Sequence, residues 1–121
     1  MNDIFSIKNL ISLGIVTGVL FFLWTSRGSF DDAATLKAKV QQGALLVDVR
    51  SPQEYKSAHI EGAINIPVNQ VQQRLKEFGA KEQEIIVYCK SGGRSSRAQN
   101  ILQTQGYQHV YNLGGIGNWP K

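Results

Sequence analysis

A single cysteine stands where its thiol could act as a nucleophile. Cys89 directly follows the apolar run 85–88, and a predicted helix begins at about residue 95. The polar, glycine-rich loop between them consists of Lys90, Ser91, Gly92, Gly93 and Arg94. Backbone N–H groups of such a loop can converge on one point at a helix N-terminus, where the helix dipole favours an anion. We therefore predict that Cys89 is held as a thiolate, with basic side chains such as Arg97 adding positive charge nearby.

The alternative for a lone cysteine at the end of an apolar run is an inert thiol in the core. The five residues after Cys89 are too polar and too rich in glycine to pack over a buried thiol, which favours the reactive interpretation. A single cysteine also excludes an intrachain disulfide and a multi-cysteine zinc or iron–sulfur site. Because His59 and His109 are the only histidines, we expect neither a metal nor a cofactor.

The elements that must position this loop alternate along the chain. Apolar runs without alternation predict buried strands at 44–49, 64–66, 85–88 and 110–112. Helical spacing predicts the intervening helices 32–42, 68–78 and 95–105. A further short helix should begin at Pro52, because Ser51 and Glu54 are spaced as a capping box. This order predicts an α/β domain with a mostly parallel central sheet, in which Cys89 ends a central strand.

The N-terminal segment differs in composition from the rest. Its residues 9–26 carry no charge and lie between Lys8 and Arg27. A helix of that length spans about 27 Å, close to the hydrocarbon thickness of a bilayer. We therefore expect an uncleaved, single-pass transmembrane helix in the anchor 1–27, followed by the domain 28–121. A cleaved signal peptide and a buried helix are the alternatives.

The distribution of charge bears on location and partners. More Lys and Arg residues follow the uncharged segment than precede it, which predicts that the domain lies on the cytoplasmic side. The net charge is +4, and the basic residues are scattered along the chain rather than gathered in a stripe. We therefore expect small anions as partners and no nucleic acid.

Four segments, taken in order, resemble the rhodanese homology domain. They are 48–55, 59–67, 89–94 and 114–119, and the resemblance covers about 30–119. It implies a rhodanese-like fold in which Cys89 is the catalytic nucleophile and residues 90–94 bind the substrate anion. It further implies a sulfurtransferase that takes a sulfane sulfur from thiosulfate or a persulfide donor, holds it as a persulfide, and passes it to a thiol or protein acceptor by double displacement.

The resemblance also implies supporting roles. Asp48 and Arg50 should hold loops together, with Arg50 paired to Glu54, and His59 should be a packed, hydrogen-bonded residue rather than a general base. The chain departs from the family in carrying Ala58 where a glycine is usual, and in having few residues after the tryptophan of the last segment. For the second departure we expect either a more open active-site rim or a wall completed by a partner.

Two other functions compete with the enzyme. The first is a sulfur carrier or membrane-docked interaction module that does not turn over small donors. The second is a phosphatase or arsenate reductase, since the architecture resembles that of the dual-specificity phosphatases related to rhodanese. Their loop has one more residue between cysteine and arginine, so the spacing of Cys89 and Arg94 favours sulfur over phosphate.

Overall fold

The computed structural model describes residues 30–121. The α-helices of that range are α1 (Ala33–Gln41), α2 (Pro52–Ser57) and α3 (Gly93–Thr104). The strands are β1 (Leu45–Asp48), β2 (Ile64–Asn65), β3 (Glu84–Cys89) and β4 (His109–Gly115). Short 3-10 helices cover Val68–Gln70, Gln72–Phe78 and Ile116–Asn118.

The strands form one parallel sheet in the order β2-β1-β3-β4. In the register, Val47 of β1 lies opposite Ile64 on one side and Val87 on the other. In this order, β3 lies between β1 and β4. Its residues from Ile85 to Cys89 are at most 1% exposed. Burial on both faces explains why this strand reads as a continuous apolar run. The predicted parallel α/β architecture is confirmed.

Side chains on the two faces of the sheet build two cores. On one face, Val87 and Cys89 pack with Ala98 and Leu102 of α3. On the other face, the core comprises Leu36, Leu46, Ile60, Ala63, Ile86, Tyr88 and Leu113, with α1 covering it. Because successive residues of a strand point to opposite faces, Cys89 shares the face of α3 with Val87. The cysteine therefore lies on the face that carries the helix following it.

Side-chain caps start two of the helices. The carboxylate of Asp32 accepts hydrogen bonds from the backbone N–H and hydroxyl of Thr35, at 3.0 and 2.9 Å, and starts α1. At α2, Ser51 and Glu54 form the predicted capping box, with Pro52 in the first helical position. These caps fix the entry of each helix and, at α2, the direction of the Glu54 side chain.

The predicted helix 68–78 is wrong in type, because the segment forms two 3-10 helices with a kink at Arg74 (φ −116°, ψ 31°). Val71 and Phe78 of this segment are fully buried. The hydroxyl of Tyr107 donates to the carbonyl oxygens of Leu75 and Gly79, at 2.9 and 3.0 Å. Packing and this tertiary hydrogen bonding override the helical spacing of the sequence. Smaller differences are the start of α3 at residue 93 and the length of β4, which runs over 109–115.

The predicted transmembrane anchor 1–27 and its boundary with the domain lie outside the described residues. Between residues 30 and 121, none of the helices combines the length and apolar character that a membrane span requires.

Candidate active site

Cys89 is the last residue of β3 and is 1% exposed. The chain turns through the active-site loop, residues 90–94, and enters α3 at Gly93. Gly92 is the N-cap of α3 and has φ +109°, a conformation that favours glycine. A side chain at Gly92 would also collide with the ring of Phe30, which lies against it. Glycine at this position thus allows the backbone to bend back over the sulfur.

The sulfur of Cys89 is surrounded by hydrogen-bond donors of the following backbone. The N–H groups of Gly92 and Ser95 lie 3.0 and 3.4 Å from Sγ. The Ser95 hydroxyl oxygen lies 3.5 Å from Sγ and donates to the Gly92 carbonyl oxygen at 3.1 Å. In the thiol form the S–H can donate to this hydroxyl, and in the thiolate form the hydroxyl can turn and donate to the sulfur.

Two opposing effects act on the pKa of the Cys89 thiol. Burial raises the pKa, because it disfavours the charged sulfur. Hydrogen bonds from the Ser95 side chain and from the N–H groups of Ser95, Gly92 and Ser91 lower it. The hydrogen bonds outweigh burial, so the pKa lies below its ordinary value and the thiolate forms more readily than in a free cysteine.

The other predicted site residues do not all meet at the sulfur. Lys90, Ser91, Gly93 and Arg97 are exposed. Within residues 30–121, the side chains of Lys90 and Arg97 make no hydrogen bond or ion pair. The peptide groups of the loop, rather than its lysine, therefore provide the direct contacts to sulfur.

Arg94 is engaged by Glu54, which corrects the predicted pair between Arg50 and Glu54. The two Nη atoms of Arg94 lie 2.7 and 3.1 Å from the two carboxylate oxygens of Glu54. The hydrogen bond from Arg94 is the largest of the effects that lower the pKa of Glu54 to about 2. The capping box turns the glutamate toward α3, whereas Arg50 has a closer partner at the end of β1.

That partner is Asp48, which is fully buried. Nη2 of Arg50 lies 2.7 Å from Oδ2 of Asp48, and Nε lies 3.0 Å from both carboxylate oxygens. Nη2 also donates to the carbonyl oxygen of Ala58. The side-chain amide of Asn65 donates to the carbonyl oxygens of both residues of the pair. This buried pair ties the loop after β1 to the segment before β2, through Ala58, and to β2 itself, through Asn65.

His59 takes a peripheral place. Its side chain is exposed, its ring stacks on that of Tyr55 with 3.8 Å between centroids, and its Nδ1 lies 2.8 Å from the Tyr55 carbonyl oxygen. These contacts suit the hydrogen-bonded residue that the sequence predicts. His109, at the start of β4, is also exposed.

Ser95 and Phe30 contribute to the site but were not among the predicted site residues. Ser95 is fully buried in the first turn of α3, and this position directly after the loop is the signal that could have identified it. Phe30 is 46% exposed and lies against Gly92 and Gly114. No local pattern connects this ring with a loop sixty residues away, so only the fold reveals it.

A groove of about 260 Å³ opens beside Arg94 at the carboxyl edge of the sheet. It is lined by Val49, Ser51, Pro52, Pro67, Val68, Asn69, Gln70 and Arg94. Crevices of open α/β sheets lie at this edge.

Comparisons with known proteins agree with this geometry. The family model for the rhodanese-like domain matches residues 32–121. Thiosulfate sulfurtransferase PspE of Escherichia coli is 42% identical over 71 residues, which cover 58% of this chain and 68% of that protein. A sulfurtransferase of Allochromatium vinosum is 38% identical over 81 residues, 66% of this chain and 75% of that protein.

Solved structures give the same result. A rhodanese with anions from E. coli superposes with a TM-score of 0.61 at 38% identity, covering 64% of this chain and 95% of that one. The human single-domain sulfurtransferase TSTD1 gives a TM-score of 0.65 at 27% identity, covering 73% of this chain and 88% of that one. The rhodanese-like α/β fold expected from the sequence is confirmed.

Substituting Asp48→Asn should destabilise the domain strongly. The change leaves the guanidinium of Arg50 buried without its counter-ion, which costs about 3–5 kcal/mol of unfolding free energy. Urea unfolding measures this loss. The matched control is Glu77→Gln, which breaks the exposed Arg74–Glu77 pair and should cost less than about 1 kcal/mol. Equal losses in the two variants would contradict a structural role for the buried pair.

Substituting Ser95→Ala should reduce the reactivity of Cys89. Without the hydroxyl, the thiolate loses one hydrogen-bond donor, so its pKa rises and alkylation by iodoacetamide at pH 7 slows by about two- to tenfold. The pH dependence of the alkylation rate measures the shift, because the rate follows the thiolate fraction and rises with pH up to the pKa. Thr104→Ala, which removes an exposed hydroxyl at the far end of α3, should leave the profile unchanged. An unaltered profile for Ser95→Ala would show that the hydroxyl does not stabilise the anion.

Proposed function

Because the chain belongs to the rhodanese-like domain family and is a rhodanese-type transferase, we propose that it moves a sulfane sulfur from thiosulfate or a persulfide donor to a thiophilic acceptor through a persulfide on Cys89. The observation that carries the proposal is the position of Sγ, 3.0 and 3.4 Å from the N–H groups of Gly92 and Ser95. These donors lower the pKa of the thiol against the effect of burial.

The reaction follows from this nucleophile. The Cys89 thiolate attacks the outer sulfur of thiosulfate, a new S–S bond forms to the cysteine, and the old S–S bond breaks with its electron pair leaving on sulfite. The active-site loop then holds the negative charge of the persulfide. An acceptor thiolate, or cyanide in an assay, attacks the outer sulfur, and the electron pair of the breaking bond returns to Cys89. No proton transfer is needed in either step when both nucleophiles are ionised.

We also propose that residues 1–27 anchor the domain in a membrane, with the domain on the cytoplasmic side. The support is the uncharged segment 9–26 and the excess of Lys and Arg after it. Only residues 27–29 separate this segment from Phe30, whose ring lies against Gly92. Three residues span at most about 10 Å, so an anchored domain would present its active-site loop close to the bilayer surface.

Sulfur loading tests the proposed reaction. After treatment with thiosulfate, intact-mass analysis of the full chain should show a reducible gain of about 32 Da, one sulfur atom on the single thiol. Cyanide should then release thiocyanate over repeated cycles. Cys89→Ala should show neither, while retaining the circular dichroism of the unsubstituted protein. A chain that loads sulfur but does not turn over would instead be a sulfur carrier. A chain that loads sulfur from neither thiosulfate nor a small-molecule persulfide would refute the proposal.

Membrane extraction tests the proposed anchor. The full chain, expressed in a bacterium, should stay with the membranes after carbonate washing. Val16→Asp combined with Val19→Asp should release it, because each charge at the centre of a span costs about 2.5–3.5 kcal/mol. Protease added to spheroplasts should leave a cytoplasmic domain intact. Release of the unsubstituted chain by carbonate would contradict the anchor, and digestion in spheroplasts would contradict the orientation.

A further inference from the structure

The active-site loop ends in an arginine whose charge is already matched by a carboxylate. Arg94 meets Glu54 through two hydrogen bonds of 2.7 and 3.1 Å, one from each Nη atom. The side chains are 39% and 31% exposed, and Arg94 borders the groove beside the loop. A guanidinium that faces an anionic substrate can bind it with two parallel hydrogen bonds, the same arrangement that Glu54 now occupies.

Glu54 is held in place from the other side as well. Its Oε1 accepts hydrogen bonds from the backbone N–H and the hydroxyl of Ser51, both at 3.0 Å. The glutamate thus belongs at once to the capping box of α2 and to the ion pair with Arg94. Because four hydrogen bonds fix the carboxylate, its negative charge is a permanent feature of the site rather than a chance orientation of a surface side chain.

The charge of Arg94 interacts electrostatically with the sulfur of Cys89. The hydrogen bond with Glu54 raises the pKa of Arg94 most, and the negative charge of Cys89 raises it further. The geometry agrees, because Arg94 directly precedes Ser95, whose backbone N–H lies 3.4 Å from Sγ, and its side chain borders the groove. A charge on Arg94 or on its partner therefore changes the electrostatic potential at the active-site loop.

We propose that Glu54 is a specificity-determining residue that offsets the charge of Arg94 and so limits how strongly the active-site loop binds anions relative to uncharged reagents. This inference rests on the proposed function and extends it to substrate charge. Thiosulfate is a dianion and sulfite, its leaving group, is also anionic at neutral pH. With Glu54 paired to the guanidinium, the N–H groups of the loop bind the transferred sulfur. The anionic leaving group lies beside an ion pair without net charge, and so it dissociates readily.

Glu54→Gln tests the proposal without removing the cap. Glutamine also serves at the third position of a capping box, so the variant keeps α2 while removing one negative charge. The probe is alkylation of Cys89, the single thiol, by iodoacetate and by iodoacetamide, which differ in charge but not in reaction. The ratio of the two rate constants, iodoacetate over iodoacetamide, should rise about two- to sixfold, as expected for the removal of one partly exposed charge near a protein surface.

A charge cycle separates this effect from a structural one. Arg94→Gln should lower the ratio, and the double variant Glu54→Gln/Arg94→Gln should return it close to that of the unsubstituted chain, because the removed charges cancel. Glu77→Gln removes a carboxylate from a comparable Arg–Glu pair elsewhere on the surface and should leave the ratio unchanged. A rise in the ratio with Glu77→Gln as large as that with Glu54→Gln would overturn the proposal.

Steady-state kinetics provide the second measurement. In Glu54→Gln, KM for thiosulfate should fall by about the same two- to sixfold factor, while kcat does not rise, because the anionic product is also held more tightly. An unchanged alkylation ratio in Glu54→Gln would refute the role of Glu54, even in a chain that transfers sulfur. A raised ratio in a chain that never loads sulfur from thiosulfate would support the role of Glu54 and refute the proposed donor.

Discussion

The hydrogen bonds that converge on the sulfur of Cys89 determine what this domain can do. At 1% exposure the sulfur lies in surroundings that favour the neutral thiol. The N–H groups of Gly92 and Ser95, together with the Ser95 hydroxyl, reverse that preference. Because these donors already surround the sulfur, the backbone of the loop is arranged in advance for the thiolate that the proposed reaction needs.

This arrangement depends on how the sheet and α3 meet. Strand β3 ends at the cysteine, and three residues later Gly92 bends the chain so that α3 points its N-terminus at the sulfur. Two ion pairs then act at different depths. The buried pair of Asp48 and Arg50 holds the loop after β1. The partly exposed pair of Glu54 and Arg94 sets the charge at the groove. Both are pairs of an arginine with a carboxylate, and their different roles follow from how deeply each pair is buried.

Local features of this fold could be predicted from the sequence, and tertiary ones could not. The capping box of Ser51 and Glu54 and the apolar run of β3 need no knowledge of distant residues. The same glutamate shows the limit, because its partner proved to be Arg94 across the domain rather than Arg50. The kinked 3-10 segment, satisfied by the hydroxyl of Tyr107, and the ring of Phe30 on Gly92 likewise depend on contacts far apart in sequence.

The charge of the transferred group explains why such a site can work with its arginine neutralised. Phosphoryl transfer spreads negative charge over three oxygens and requires cations to stabilise it. In sulfur transfer, the transferred atom carries at most one negative charge, when it is the outer sulfur of a persulfide. Peptide N–H groups can stabilise a single negative charge at sulfur. An arginine without a counter-ion would mainly bind the anionic product and slow its release. The short loop after Cys89 and the pairing of Arg94 with Glu54 therefore both favour sulfur transfer over phosphoryl transfer.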